Sequence, residues 1–482
     1  MPKHLLVSRD RFETRVALLE AGRLAELYVE RPGQASIVGN IYKGRVENVL
    51  AGMDAAFVDI GLDRNGFLYV DEVTGPEVPP GGSRKITSLL KGGKEVLVQV
   101  VRDAMGGKGP RLTTQLSLAG RYLVYLPQTA TSGVSRRLDD VERERLRSIC
   151  RDLGNGTGGF VIRTAAEGAG EEAIRRDLRF LERVWSGVER RAATSSAPSA
   201  VYKEAELAVR SVRDLLGSEF GTVLVDDEKL HRRLMNYLRT VAPDLAGRVE
   251  RYDGAVSLFE RFGVEGELKK ALERRVDLPS GGYIVIDHTE AMTVIDVNTG
   301  RYVGRRYLED TTVKTNVEAC REIVRQLRLR DIGGIIVIDF IDMTSRANRE
   351  AVLLALQTEL DRDRTKTYVV EISPLGLVEM TRQNITRGLR EAVTMPCPRC
   401  RGEGRVFSEE SAFVEVVRRI QGLARSTASS GIRVEVHPRI AVRLVSGRSP
   451  QLLQLEGEAD RRILVQAADE SVPLDHVAVV PD

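Results

Sequence analysis

The sequence predicts a multidomain chain of mixed α/β and α+β class, and three observations carry that reading. The chain has 482 residues, about three domains at roughly 150 residues each. From Gly39 to about Leu118, short strand-like runs are broken by frequent glycines, which suits a small β-barrel. From 282 to 396, apolar strand-like runs alternate with helical periodicity, the rhythm of an α/β unit.

Taken in order, the first 36 residues read as strands at His4–Ser8, Thr14–Leu19 and Leu24–Val29. The last two are joined by the tight turn Glu20-Ala21-Gly22-Arg23. Gly75-Pro76 and Pro79-Pro80-Gly81-Gly82 mark a loop inside the barrel segment. Residues 139–153 look helical and carry both charge signs. The turn Gly154-Asn155-Gly156-Thr157-Gly158-Gly159 leads into a strand at Phe160–Arg163, then a helix from about Glu171 to Val188. The small, polar stretch 192–200 reads as a loop. A helix (202–216), a strand (Thr222–Val225) and a helix (227–240) follow. Strands at Tyr283–Ile286 and Met292–Val297 precede a helix at about 313–330. Its Val313, Val317, Cys320, Val324 and Leu327 step by four and three along one face. Gly333-Gly334 is its expected stop. A strand at Ile335–Ile341, a helix (346–361) and a strand (Thr367–Ile372) complete the unit. A cysteine knuckle and a small mixed α/β tail come last. No fixed-period repeat is found.

Composition narrows the class. Hydrophobic residues are 42% and charged residues 29%, an ordinary globular balance. No run approaches 18 apolar residues, and the start has no apolar core long enough for a secretory signal. Four cysteines in this length are no disulfide scaffold, so a reducing cytoplasm is expected. The net charge of +3 does not by itself indicate a nucleic-acid partner. Of the 72 basic residues, 60 are arginine and 12 lysine, a bias that genome composition explains before function does.

The sharpest chemical signal is a pair of aspartates in apolar runs: Val294-Ile295-Asp296-Val297-Asn298 and Ile335-Ile336-Val337-Ile338-Asp339-Phe340-Ile341-Asp342. A buried carboxylate needs a partner. Asp296 and Asn298 are two apart and share one side of a strand. Asp339 lies on the next strand of the unit and can converge with them. Two carboxylates and an amide form a hard oxygen site suited to Mg²⁺. The alternative is neutralisation by arginines such as Arg328 or Arg330. Asp342 is either a third acid or, the reading placed first, a cap for the helix starting near Ser345.

In Ala55-Ala56-Phe57-Val58-Asp59, alternation sets Phe57 against Ala56 and Val58. After the turn Asp63-Arg64-Asn65-Gly66, Phe67 opposes Leu68. Two aromatics off the aliphatic core of an OB-type barrel can stack single-stranded bases, or pack on a neighbouring domain. Lys43, Arg45, Arg64 and the Gly106-Gly107-Lys108-Gly109 stretch could supply phosphate contacts. Cys397-Pro398-Arg399-Cys400, followed by Gly402 and Gly404, is half a zinc knuckle. Cys150 and Cys320 lie on expected helices, and the five histidines are scattered. A second copy of the chain is the simplest source of the missing ligands. A redox Cys-x-x-Cys is the competing reading, and the glycines favour the knuckle.

These pieces, in this order, resemble the bacterial ribonuclease E/G family, most of all its ribonuclease G branch. The most specific matches are Ile41-Tyr42-Lys43-Gly44, Ala55–Asp59, Arg163-Thr164-Ala165-Ala166-Glu167-Gly168, Arg325-Gln326-Leu327-Arg328-Leu329-Arg330-Asp331, the Asp339 strand and Cys397–Cys400. The resemblance implies a ribonuclease-H-like domain split over 1–35 and 212–278. It implies an S1-type OB-fold at 36–118 and a 5′-sensor domain at 119–211, both inserted between those halves. A deoxyribonuclease-I-like catalytic domain (279–396), a zinc link (397–410) and a small dimerisation domain (411–482) follow.

By matching position, the resemblance implies that Asp296 and Asp339 hold Mg²⁺ while Asn298 positions the ion or the scissile phosphate. Phe57, Phe67 and Lys108 would grip RNA. Arg163 and Thr164, with Gly120 and Val124, would bind a 5′-monophosphate. Cys397 and Cys400 would share Zn²⁺ between two chains of a homodimer or dimer of dimers. No degradosome scaffold tail is expected, and contacts from the Thr74–Gly93 loop are not carried over. The function so implied is Mg²⁺-dependent cleavage of single-stranded A/U-rich RNA to 5′-phosphate and 3′-hydroxyl ends, in ribosomal RNA maturation and mRNA decay. The alternative is a non-catalytic RNA-binding assembly factor for ribosomal RNA precursors.

Overall fold

In the computed structural model, residues 3–75, 84–104, 107–153, 158–217, 219–300, 308–373, 375–383, 388–400, 402–426, 431–446, 450–460 and 462–480 are described. The expected loop at 76–82, most of the Gly154–Gly159 turn and Gly106 lie outside them. The chain divides into two units, 1–392 and 393–482.

The first sheet of the larger unit runs in the order Val249–Arg251, Phe220–Val225, Lys3–Arg9, Thr14–Glu20, Arg23–Glu30. Lys3–Arg9 pairs parallel to Phe220–Val225 and antiparallel to Thr14–Glu20. Its Leu5, Leu6 and Val7 are all fully buried, as expected of a central strand covered on both faces. Ala21 (φ 51°) and Gly22 (φ 77°) make the expected tight turn, with positive φ at both central positions.

The barrel is closed. Ile41–Leu50 pairs with both Ala55–Asp59 and Glu95–Arg102, and Gly66–Tyr69 and Arg111–Thr113 complete the ring of five. Gly44 sits where a Cβ would lie 2.6 Å from Val58 Cγ1, so this corner admits no side chain. Ser199–Tyr202 adds a strand to Ile41–Leu50 from outside. The expected loop at 192–200 is therefore shorter, because the helix Glu171–Thr194 runs about two turns further than read. The next helix is Leu207–Leu215, not 202–216. Tyr202 is committed to the barrel edge, and Glu206 is extended at the helix start.

A four-stranded sheet, in the order Gly133–Val134, Gly159–Ile162, Leu123–Leu126, Leu118–Ala119, shares a core with the helices Asp140–Leu153 and Glu171–Thr194. The last sheet of this unit runs in the order Arg275–Asp277, Tyr283–His288, Met292–Asn298, Gly334–Asp339, Leu377–Arg382, Thr367–Ile372. The strand Leu377–Arg382 was not among the expected elements. The helices Leu308–Leu329 and Arg346–Leu360 supply Ile323, Leu327, Val352 and Leu356 to a core with Ile284, Ile295, Ile336 and Ile338. Alternation sends the intervening residues to the opposite face, where Val294 and Val337 are half-buried and Ile335, Asp296 and Asp339 are exposed. Asp331 (φ 49°), rather than Gly333-Gly334, ends the first of these helices. It takes the left-handed position, and Ile332 N–H bonds back to Leu327 at 2.9 Å.

The smaller unit has three strands, in the order Arg462–Ala467, Gly431–Val436, Val477–Val480. The helices Glu409–Ser426, Pro438–Val445 and Pro450–Ala459 accompany them around Val416, Ile420, Val434 and Ile440.

Candidate functional site

Asp296 and Asp339 are direct neighbours in parallel pairing, at the end of the register their strands share. Asn298 donates from Nδ2 to Asp296 Oδ2 at 2.8 Å, so strand alternation brings these three together. Desolvation, then Asp296, then Asp342 push the Asp339 carboxyl above its usual range. Among the described residues, no cation forms an ion pair with Asp296, Asp339 or Asp342.

The arginines offered as neutralising partners are engaged elsewhere. Arg328 bonds Glu20 and Glu26 at 2.8–3.0 Å, and Arg330 bonds Gln326 at 2.7 Å. The expectation of buried acids needs correction. Among the described residues the helices cover one face of the sheet, and the aspartates stand on the other. The cap role for Asp342 also fails. Glu309 takes the start of that helix, accepting from Ser345 N–H and Asn348 Nδ2 at 2.9 Å each. Glu309 lies 36 residues upstream of Ser345, so no local pattern announces it.

Among the described residues, no three His, Cys, Asp or Glu side chains form a metal cluster. The acidic end supplies two adjacent carboxylates with a third charge nearby. That donor set fits Mg²⁺, which takes one or two carboxylates and keeps several waters.

On the barrel, Phe57 faces Phe67 across the hairpin, with ring centroids 5.9 Å apart and edge-on at 66°. Both are half-exposed, while Ala56, Val58 and Leu68 behind them are fully buried. Lys108 is exposed. It is followed by Gly109, whose place against the Asn65 carbonyl leaves no room for a Cβ. Lys43 and Arg45 are not free for phosphates. Lys43 is bound to Glu95 (3.1 Å) and the Ser195 carbonyl (2.9 Å), and Arg45 to the Ala197 carbonyl (3.3 Å).

Arg163 follows the strand Gly159–Ile162, and its Nη1 donates to the Gly120 carbonyl (2.6 Å) and Asp214 Oδ1 (2.7 Å). Both contacts fall on one terminal nitrogen. Gly120 is buried against the Asp177 carboxylate, which accepts from the Tyr122 and Leu123 amides at 2.7 and 3.2 Å. Val124 is half-buried opposite Val161, and Thr164 is exposed in a short turn. Sequence reasoning missed Asp214. Burial acts to raise its pKa, but Arg213 and Arg163 hold the carboxyl below the usual range. Arg213 grips it at 3.0–3.2 Å and reaches Glu204 at 2.9 Å.

Cys397 is exposed and Cys400 partly so. Backbone amides of Cys400 and Arg399, then the Cys400 side chain, lower the Cys397 pKa. This favours the thiolate that zinc binds. Two thiols are half of a four-ligand set. Burial raises the other thiols, Cys320 to about 12, so neither is a ready ligand.

The model of the Ribonuclease E/G family matches residues 117–385, and that of the RNase E/G thioredoxin-like domain matches 396–480. Ribonuclease G of Escherichia coli (strain K12) is 42% identical over 474 residues, 97% of this chain and 97% of that protein. Ribonuclease G of Haemophilus influenzae is 40% identical over 96% of each. Ribonuclease E of E. coli (strain K12) is 36% identical over 99% of this chain but 46% of its own length. With family-model matches on both sides of residue 392 and identity running nearly end to end, the chain belongs to the ribonuclease E/G family.

Proposed function

We propose that this chain, an endoribonuclease by its family, cuts single-stranded, A/U-rich RNA at the Asp296–Asp339 end of the open sheet. Its products carry 5′-phosphate and 3′-hydroxyl ends, and its work lies in ribosomal RNA maturation and mRNA decay. The observation that carries this is two carboxylates in adjacent register with no ion-paired cation among the described residues. Asp296 and Asp339 hold Mg²⁺, and Asn298, tied to Asp296, fixes the carboxylate and the scissile phosphate. When bound, the ion supplies nucleophile activation and offsets phosphate charge.

Phe57 and Phe67 stack bases of the strand, and Lys108 meets its backbone. Arg163 keeps Nε and Nη2 without a partner among the described residues, an edge suited to the two oxygens of a 5′-monophosphate. Thr164, Gly120 and Val124 line that pocket. In this reading the first sheet is ribonuclease-H-like, the barrel S1-type and the last sheet of the larger unit deoxyribonuclease-I-like. Cys397 and Cys400 share Zn²⁺ with a second copy, and the enzyme works in the cytoplasm as a homodimer or dimer of dimers. No helix of the described residues is long and apolar enough to cross a membrane.

A labelled oligonucleotide, incubated with and without Mg²⁺ and mapped by end group, tests the reaction. Metal-dependent 3′-hydroxyl ends are expected. Ends carrying 2′,3′-cyclic phosphate would mean attack by the ribose hydroxyl and would overturn the reading.

A further inference from the structure

The helix Glu171–Thr194 buries Ile174, Asp177, Leu178, Leu181, Trp185 and Val188. At about 100° per residue, the opposite edge carries Arg176, Arg179, Arg183 and Arg190. Arg176 is half-buried and the others are exposed. Arg175, one step off this line, pairs with Glu171. None of the four on the line forms an ion pair with a carboxylate among the described residues. Two of them bond back to the helix itself: Arg183 Nε to the Arg179 carbonyl at 3.3 Å, and Arg190 Nε to the Ser186 carbonyl at 3.4 Å. Glu172 stands at the head of the line, while Glu182 and Glu189 turn toward one flank. Beside the line, Gly187 opens a groove of about 520 Å³ that Arg183, Arg191 and Lys203 line, with no carboxylate among the described lining residues.

The place of this helix in the chain gives the line its direction. Arg163 and Thr164 precede its first turn by a few residues, and its last turn leads into Ser199–Tyr202, paired with the barrel strand Ile41–Leu50. Its 24 residues span about 36 Å. We propose that this arginine edge, with Arg191 and Lys203, is a tracking surface for the phosphate backbone of the RNA strand between its 5′ end and the barrel.

The proposal rests on the reading that the barrel and the Arg163 pocket both engage RNA. A line of unpaired guanidinium groups attracts a polyanion without reading its sequence. A membrane-surface helix would keep an apolar face to insert. Here that face is consumed by the core.

The test is the triple variant Arg179→Gln, Arg183→Gln, Arg190→Gln in the full chain. Binding of 5′-phosphorylated single strands of about 25 and about 8 nucleotides is measured with Mg²⁺ withheld. For the longer strand we expect affinity to fall about tenfold at 0.1 M salt. The slope of log affinity against log salt should shrink by about 2, at roughly 0.7 per single-strand phosphate contact. Binding and cleavage of the short strand made with a 5′-hydroxyl, which the barrel and the acidic sheet end can hold without the Arg163 pocket, should stay unchanged, and the lysine triple variant should keep most of the affinity. Unchanged affinity and slope on the longer strand overturn the proposal. So does loss of binding to anionic phospholipid vesicles with RNA binding intact. Equal cleavage of 5′-phosphate and 5′-hydroxyl substrates by the parent enzyme defeats the sensor reading, whereas the salt slope still decides the arginine edge.

Discussion

Glu20 and Glu26 meet Arg328 in a closely bonded cluster, Arg328 reaching one with Nη1 and both with Nη2. Asp296, Asp339 and Asp342 crowd one sheet end and meet no such cation among the described residues. The two clusters lie in the same unit and use the same carboxylate chemistry. The first sits where the helix Leu308–Leu329 docks on the strands Thr14–Glu20 and Arg23–Glu30. Arg325, from the same helix, bonds the Leu24 carbonyl at 2.8 Å and Glu322 at 2.6 Å. Charges taken out of water there must be matched. The second cluster faces outward, so its charges stay partly hydrated and tolerate mutual repulsion. Matching marks a joint, and its lack among the described residues is what the proposed arrival of a cation and a phosphate requires.

The two clusters should respond oppositely to losing one charge. For Asp339→Asn, cleavage of a labelled oligonucleotide should fall by at least about a thousandfold, roughly 4 kcal/mol of barrier. The melting temperature should hold or rise, because one of three repelling charges has gone. A melting temperature several degrees lower would make Asp339 a structural residue. For Arg328→Met the expectation reverses. Leaving Glu20 and Glu26 unmatched should cost about 3 kcal/mol of stability in urea titration, while the cleavage rate per folded molecule stays within about twofold. Lost activity in a fully folded Arg328→Met enzyme would tie that joint to the reaction.

Much of this contrast was legible in the sequence, though not its cause. Period-two alternation put Phe57 beside Phe67 and Asp296 beside Asn298, because side-chain direction in a strand is a local property. The same reasoning takes apolar neighbours as a sign that Asp339 is buried. A strand covered on one face and one covered on both can carry similar residues. Ile335, at the head of that apolar run, is 49% exposed. The strand Leu377–Arg382 is not legible in the sequence because a terminal arginine reads as surface. In the structure Arg382 is buried against Asp363 at 2.8 Å. Asp214 under Arg163 and Glu309 at Ser345 are partners made by tertiary contact, and spacing holds no record of them.

Acid offers the finest separation of the two clusters. Burial acts to raise the Glu20 pKa, but the hydrogen bonds and charge of Arg328, with those of Lys3, bring it to about 2. A carboxyl depressed in the folded state adds stability above its ordinary value and loses it as pH falls toward the folded value. The window therefore runs from about pH 4.5 down to about 2. Glu20 keeps 28% of its side chain exposed, so screening limits the effect to about 1 kcal/mol. Asp339 is shifted the other way, and protonating it relieves repulsion. The melting-temperature gap between the parent enzyme and Arg328→Met should therefore narrow between pH 5 and pH 3. The small gap for Asp339→Asn should close as well, because acid and substitution remove the same charge. A gap for Arg328→Met that is equal at both pH values would mean that packing of the arginine stem, and not its match to Glu20 and Glu26, holds the helix to the sheet.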